Sequence, residues 1–86
     1  MGRRSPRDYE KDRAVSMWER FGLTLRECDV AFWLSQGKTN AEIAMILRIS
    51  RRTAEKHVEA VLRKLRVENR TTAAVLLRQS NDGAPA

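Results

Sequence analysis

Glu55, Lys56 and Glu59 fall in the stretch from Ser50 to Leu65, where Ala54, Val58, Val61, Leu62 and Leu65 keep the i, i+4, i+7, i+8, i+11 spacing of a helix docked on a core. Arg52, Glu55, Lys56, Glu59 and Arg63 then share the opposite face, free for a partner. The chemistry this face offers is hydrogen bonding to base edges. In a major groove, Lys and Arg donate to guanine O6 and N7, and Glu accepts from cytosine N4. Glu55, Lys56 and Glu59 are the candidates for base contact, because they sit within about the first two and a half turns. Arg51, Arg52, Thr53, Arg63 and Lys64 are placed for phosphates, together with Thr39 and Asn40 at the start of the preceding helix, whose free amides also attract anions. Such contacts set register rather than sequence.

The same residues offer no catalysis. His57 has no second ligand or nucleophile near it in sequence, so a packing or hydrogen-bonding role is expected. Paired carboxylates, a nucleophile with its base and a glycine-rich phosphate loop are all missing, and neither an enzyme nor a cofactor is expected. The single cysteine, Cys28, excludes an internal disulfide and reads as a small core residue, and no Cys and His cluster has zinc spacing.

The elements that must position this face are legible from caps and periodicity. Thr24 with Glu27 forms a capping box, Leu23 is placed to staple against Cys28, and Gly37 closes a helix from about Leu25 to Gln36. Thr39 and Glu42 repeat the box ahead of Ala41, Ile43, Ala44 and Leu47, and Ser50 supplies the next cap after a very short link. Two helices so joined describe a helix-turn-helix. A last helix is expected from about Arg70 to Gln79, capped by Asn69. Ahead of these, Ala14, Met17, Trp18 and Phe21 recur at helical spacing and Gly22 can end the run, so an extra N-terminal helix is expected over residues 8–22. Residues 1–7 and 80–86, rich in Gly, Pro, Ser, Asn and Arg, read as flexible tails around a folded domain over 23–79. There is no strand signal, and the fold class is all-α.

Composition sets the outer bounds. Eighty-six residues at 42% hydrophobic content support one small domain, and no sensor domain is expected within them. Seventeen Lys and Arg against eleven Asp and Glu give +6, which favours a polyanion, nucleic acid or an anionic membrane surface alike. No apolar run approaches the roughly 20 residues that span a bilayer, and no signal-peptide core follows Gly2-Arg3-Arg4, so a soluble cytoplasmic chain is expected.

The ordered set Leu23-Thr24-x-Arg26-Glu27, Val30, Leu34, Gln36-Gly37, Thr39-Asn40-x-Glu42-Ile43-Ala44, Leu47-x-Ile49-Ser50, Thr53, His57-Val58 and Lys64-Leu65-x-Val67-x-Asn69-Arg70 resembles the LuxR or GerE type of helix-turn-helix transcription regulator. The resemblance runs from about Leu23 to Leu77. It implies four helices, the third from Arg51 entering the major groove of double-stranded DNA, the second crossing above it, and the fourth commonly pairing two copies on a two-fold operator. A homodimer is expected on that basis, with Ala73, Leu76 and Leu77 as its seam.

Several positions depart from the family pattern. Glu55 follows Thr53-Ala54 where a lysine is usual, and Glu59 replaces a basic or polar residue; carboxylates facing phosphates cost affinity unless a cytosine or a neighbouring arginine satisfies them. Arg48 and Arg66 stand where glycines usually follow the second and third helices, at a cost of about 1 kcal/mol each for a left-handed residue. Phe32, Met45 and Ile46 are unusually apolar, and Met17, Trp18 and Phe21 are expected to cover them. Phe32 and Trp33 are adjacent on a helix, so one is expected in the core and the other as a lid or interface. A second reading keeps the fold but binds another regulator or RNA polymerase through the patch around Trp18, Phe32 and Trp33. A third, region 4 of a sigma factor, fits poorly with the ending from Lys64 to Arg70 and with a fourth helix.

Overall fold

The computed structural model describes residues 18–82, with side chains to Gln79. Four α-helices succeed one another with no strand among the described residues: α1 (Leu25–Ser35), α2 (Asn40–Leu47), α3 (Arg51–Leu65) and α4 (Arg70–Asp82). Each start is set by a side chain that takes up a free backbone amide. Thr24 and Thr39 accept from the amides of Glu27 and Glu42 (both 3.1 Å), while the carboxylates of Glu27 and Glu42 accept from the amides of Thr24 and Thr39. Ser50 Oγ accepts from Thr53 N at 3.0 Å, and Asn69 Oδ1 from Thr72 N at 2.8 Å. These are the caps the sequence predicts, each worth about 1 kcal/mol.

The ends of the first three helices share one geometry. Gly37, Arg48 and Arg66 all have left-handed backbones, with φ of 82°, 58° and 59°. At each, two amides turn back on the helix: Lys38 N to Trp33 O, Ile49 N to Ala44 O and Val67 N to Leu62 O close the longer loops, at 3.0–3.1 Å. The residue after each arginine is apolar, and Ile49 and Val67 pack onto the core. That anchoring holds two arginines in a conformation they disfavour.

Packing is organised around α1 and α3. One cluster joins α1, α3 and α4 through Cys28, Phe32, Leu34, Val61, Leu65, Ala73 and Leu77; the other joins α1, α2 and α3 through Val30, Ile43, Ala44, Ala54 and Val58. Trp33, half-buried, packs against both and meets the Phe32 ring edge-on at 4.9 Å. Thus Phe32 is the core member of the adjacent pair.

The expected N-terminal helix lies outside the described residues up to residue 17. The described chain opens with Trp18, a 3₁₀ turn at Glu19–Phe21 and Gly22, whose left-handed φ of 83° lets its amide bond Glu19 O at 2.9 Å. Trp18 is buried in the first cluster with Phe32, and Phe21 packs against it. Met45 and Ile46, expected under the same cover, are exposed instead, at 77% and 42%. The cap at Thr39 fixes the register of α2 so that Ile43 and Ala44 face inward, which puts Met45 on the outer side. The last helix also runs past Gln79 to Asp82.

Candidate nucleic-acid interface

Helix α3 presents its charged residues as the spacing requires. Ala54, Val58, Val61 and Leu65 are buried, and Arg51, Arg52, Thr53, Lys56, Glu59 and Arg63 are exposed. The first turn of α3 carries no acidic residue, in contrast to Glu27 in α1 and Glu42 in α2. Two arginines there oppose the helix dipole, so this end of the helix is strongly electropositive and gains from a bound anion.

The two carboxylates on the face differ in state. Arg51 Nε lies 3.5 Å from Glu55 Oε2, an exposed i, i+4 pair that contributes only about 0.5 kcal/mol to folding but neutralises one of the charges that would oppose DNA. Glu59 has no ion-pair partner among the described residues. Hydroxyl protons are also left available: Thr53 Oγ1 accepts from Ser50 Oγ at 2.8 Å and Thr39 Oγ1 accepts from Glu42 N, so both threonines keep a hydrogen to donate. The bonds from Thr39 hold the Glu42 carboxyl below its ordinary range.

Lys64 departs from the phosphate role expected of it. Its Nζ donates to Glu27 Oε1 at 2.6 Å, joining α3 to α1, with the Glu27 side chain 10% exposed and that of Lys64 29%. Burial alone raises the pKa of Glu27, but hydrogen bonds from Lys64 and from the Thr24 amide outweigh it and the net shift is downward. Lys64 faces inward because Glu27, on the cap of α1, is mostly buried and needs a counter-charge.

The seam expected on α4 needs correction too. Ala73 and Leu77 are fully buried in the chain's own first cluster, and Leu76 is half-buried against it. The i, i+4 pair Ala73 and Leu77 fastens α4 to α1 and α3 and has no surface left for a second copy, whereas Leu76 keeps part of its surface exposed. The apolar residue of α4 that does face outward is Val75, at 50% exposure.

Besides the pairing of Lys64 with Glu27, sequence reasoning missed a second contact between helices. Arg70 donates from Nη1 to Asn40 Oδ1 at 2.9 Å and from Nη2 to Lys38 O at 2.8 Å, tying the start of α4 to the start of α2. Cys28 is buried as expected, and burial, with the nearby carboxylates of Glu19, Asp29 and Glu27, pushes its thiol up to about 11. His57 is half-buried on the flank of α3 and makes no side-chain hydrogen bond within the described residues. No group of three or more His, Cys, Asp and Glu among those residues is arranged to hold a metal.

Residues 22–77, which include all of this geometry except the stretch from Trp18 to Phe21 and the far end of α4, match the GerE family, the luxR family of bacterial regulatory proteins. The chain belongs to the LuxR family. It is 52% identical over 54 residues to the transcriptional activator protein BjaR1 of Bradyrhizobium diazoefficiens, covering 63% of this chain and 22% of that protein. It is 46% identical over 57 residues to the nitrate/nitrite response regulator protein NarP of Escherichia coli, covering 66% and 26%. A putative HTH-type transcriptional regulator of Escherichia coli, YhjB, aligns over 76 residues at 33% identity, covering 88% and 38%. The chain therefore spans less than two fifths of each of these relatives.

What these chains share with it is the LuxR-type helix-turn-helix, the DNA-binding domain of transcription regulators. In LuxR-family terms α2 and α3 are the two helices of that motif, and α1 and α4 complete the four-helix domain. No helix among the described residues is long and apolar enough to cross a membrane.

Proposed function

We propose that α3 is the recognition helix of a sequence-specific, dimeric regulator that acts in the cytoplasm. Lys56 and Glu59 contact bases, and Glu55 does so while paired with Arg51. Thr39, Asn40, Arg51, Arg52, Thr53 and Arg63 contact phosphates. The observation that carries this reading is the division of α3 into a buried apolar stripe and an exposed face whose first turn is wholly basic or neutral. A helix of 15 residues is about 22 Å long and fits the roughly 12 Å wide major groove with its charged face inward.

A dimer contact forms through the outer face of α4, centred on Val75 and the exposed part of Leu76. Beside Val75 a cleft of about 340 Å³ opens between α4 and the loop after α1, lined by Leu34, Lys38, Arg70, Ala74 and Arg78. An apolar residue at the lip of such a cleft suits a self-complementary contact. Two domains so paired address two half-sites one helical turn of DNA apart.

Trp18 and Phe32 are buried and Trp33 packs against both clusters, so the patch expected there is not open to a partner; the exposed Met45 and Ile46 instead favour a second reading, in which the domain binds another regulator or RNA polymerase. Reversing Arg52 and Arg63 to Glu separates the two. If DNA is the target, duplex affinity falls by at least tenfold and the slope of log K against log salt drops by about 0.9 for each phosphate no longer neutralised. If a protein is the target, regulation survives both substitutions.

A further inference from the structure

We propose that Arg70 is a positioning residue for DNA binding: it fixes the side-chain amide of Asn40 so that Nδ2 is presented as a phosphate donor at the start of α2. This rests on the reading above that the start of α2 faces the DNA backbone.

Arg70 is half-buried, at the first position of α4, and uses both terminal nitrogens. One reaches the side chain of Asn40, the other the carbonyl of Lys38, so the two residues flanking Thr39 are held by one rigid fork. A guanidinium only donates. The atom of the Asn40 amide facing it must therefore be Oδ1, and the planar amide must turn Nδ2 with its two hydrogens to the other side. Asn40 Nδ2 has no acceptor among the described residues. Asn40 directly follows Thr39, whose hydroxyl proton is also free, and opens the first turn of α2, where the first backbone amides have no partner within the helix.

The position of Arg70 has no better explanation within the helix. A cation in the first turn opposes the helix dipole, and capping is already supplied by Asn69. What Arg70 gains is the carbonyl of Lys38 and the oxygen of Asn40. Holding the Asn40 side chain in its binding conformation before DNA arrives removes an ordering cost that otherwise weakens the complex by about three- to tenfold.

The test is a double-mutant cycle on duplex affinity at fixed salt, with Arg70→Lys and Asn40→Ala. Lysine keeps the charge but cannot span both acceptors, so it isolates positioning from simple attraction. Arg70→Lys is expected to weaken binding about three- to tenfold in the natural background and less than about twofold when Asn40 is already Ala. In the free protein, NMR relaxation of the Asn40 side-chain amide is expected to report increased motion in Arg70→Lys while α4 keeps its backbone shifts. Equal losses in both backgrounds would overturn the proposal, because Arg70 would then touch phosphate itself or only brace the fold. An Asn40→Ala protein that binds as tightly as the natural one would overturn it while leaving DNA binding intact. Failure of the natural protein to bind duplex DNA would remove the underlying reading and the proposal with it.

Discussion

Replacing Lys64 by methionine separates a structural lysine from a DNA-binding one. Methionine keeps the unbranched stem and removes the ammonium that donates to Glu27 Oε1 at 2.6 Å. The carboxylate left behind is 10% exposed and retains the amide of Thr24 at 3.0 Å on that oxygen. Breaking a fully buried pair costs about 3–5 kcal/mol and an exposed one below about 1. With the lysine 29% exposed, about 2 kcal/mol is the expected loss, or about 8–16 °C in melting temperature for a domain of this size. The pH dependence carries a sign as well. In the natural protein the folded pKa of Glu27 lies below its ordinary 4.5, so its stabilisation is present above that value and is lost as pH falls through the folded pKa. Without Lys64 burial dominates, the folded pKa rises, and protonation relieves the variant. The stability gap measured by thermal and urea unfolding is therefore expected to narrow from pH 7 to pH 4, while duplex affinity stays within about threefold. A loss below about 0.5 kcal/mol, a gap independent of pH, or a tenfold loss of DNA affinity with unchanged stability would refute this reasoning.

Other substitutions probe the remaining features. Arg48→Gly and Arg66→Gly each relieve a left-handed arginine and are expected to stabilise the domain by about 1 kcal/mol, read as a higher melting temperature; a loss at either site would mean that the side chain contributes more than its backbone costs. Trp18→Ala is expected to cost about 3–5 kcal/mol, since the residue is 1% exposed in the first cluster. Trp18→Phe is expected to cost less than about 1.5 kcal/mol, because the indole Nε1 has no acceptor among the described residues and its removal relieves a buried donor. Denaturant titration of the two variants checks the difference. Cys28, with its thiol pushed up to about 11, is expected to react with a disulfide reagent at pH 8 at least a hundredfold more slowly in the folded protein than in urea.

Local features were the legible ones. Capping boxes at Thr24 and Thr39, the cap at Ser50 and the left-handed ends at Arg48 and Arg66 depend on residues three to five apart, and all appear as read. The buried stripe of α3 derives from period alone. Periodicity says which residues share a face but not what covers that face, and this is why Ala73 and Leu77 read as a seam between chains although they fasten α4 to its own core. Met45 and Ile46 show the converse, apolar residues with no cover among the described residues. Contacts between helices stayed hidden: Glu27 and Lys64 are 37 residues apart, and Arg70 and Asn40 are 30 apart. Each pair contains a residue whose local role, a cap or a helix start, already accounts for its presence.

The claim that the exposed face of α3 reads bases is tested most directly by the sequences that the natural protein and Lys56→Ala each select from random duplex DNA. The natural protein is expected to enrich two half-sites one helical turn apart, and Lys56→Ala to lose preference at one base in each half while keeping the rest. Selection of no defined sequence by the natural protein, or of an identical sequence by the variant, would contradict the account.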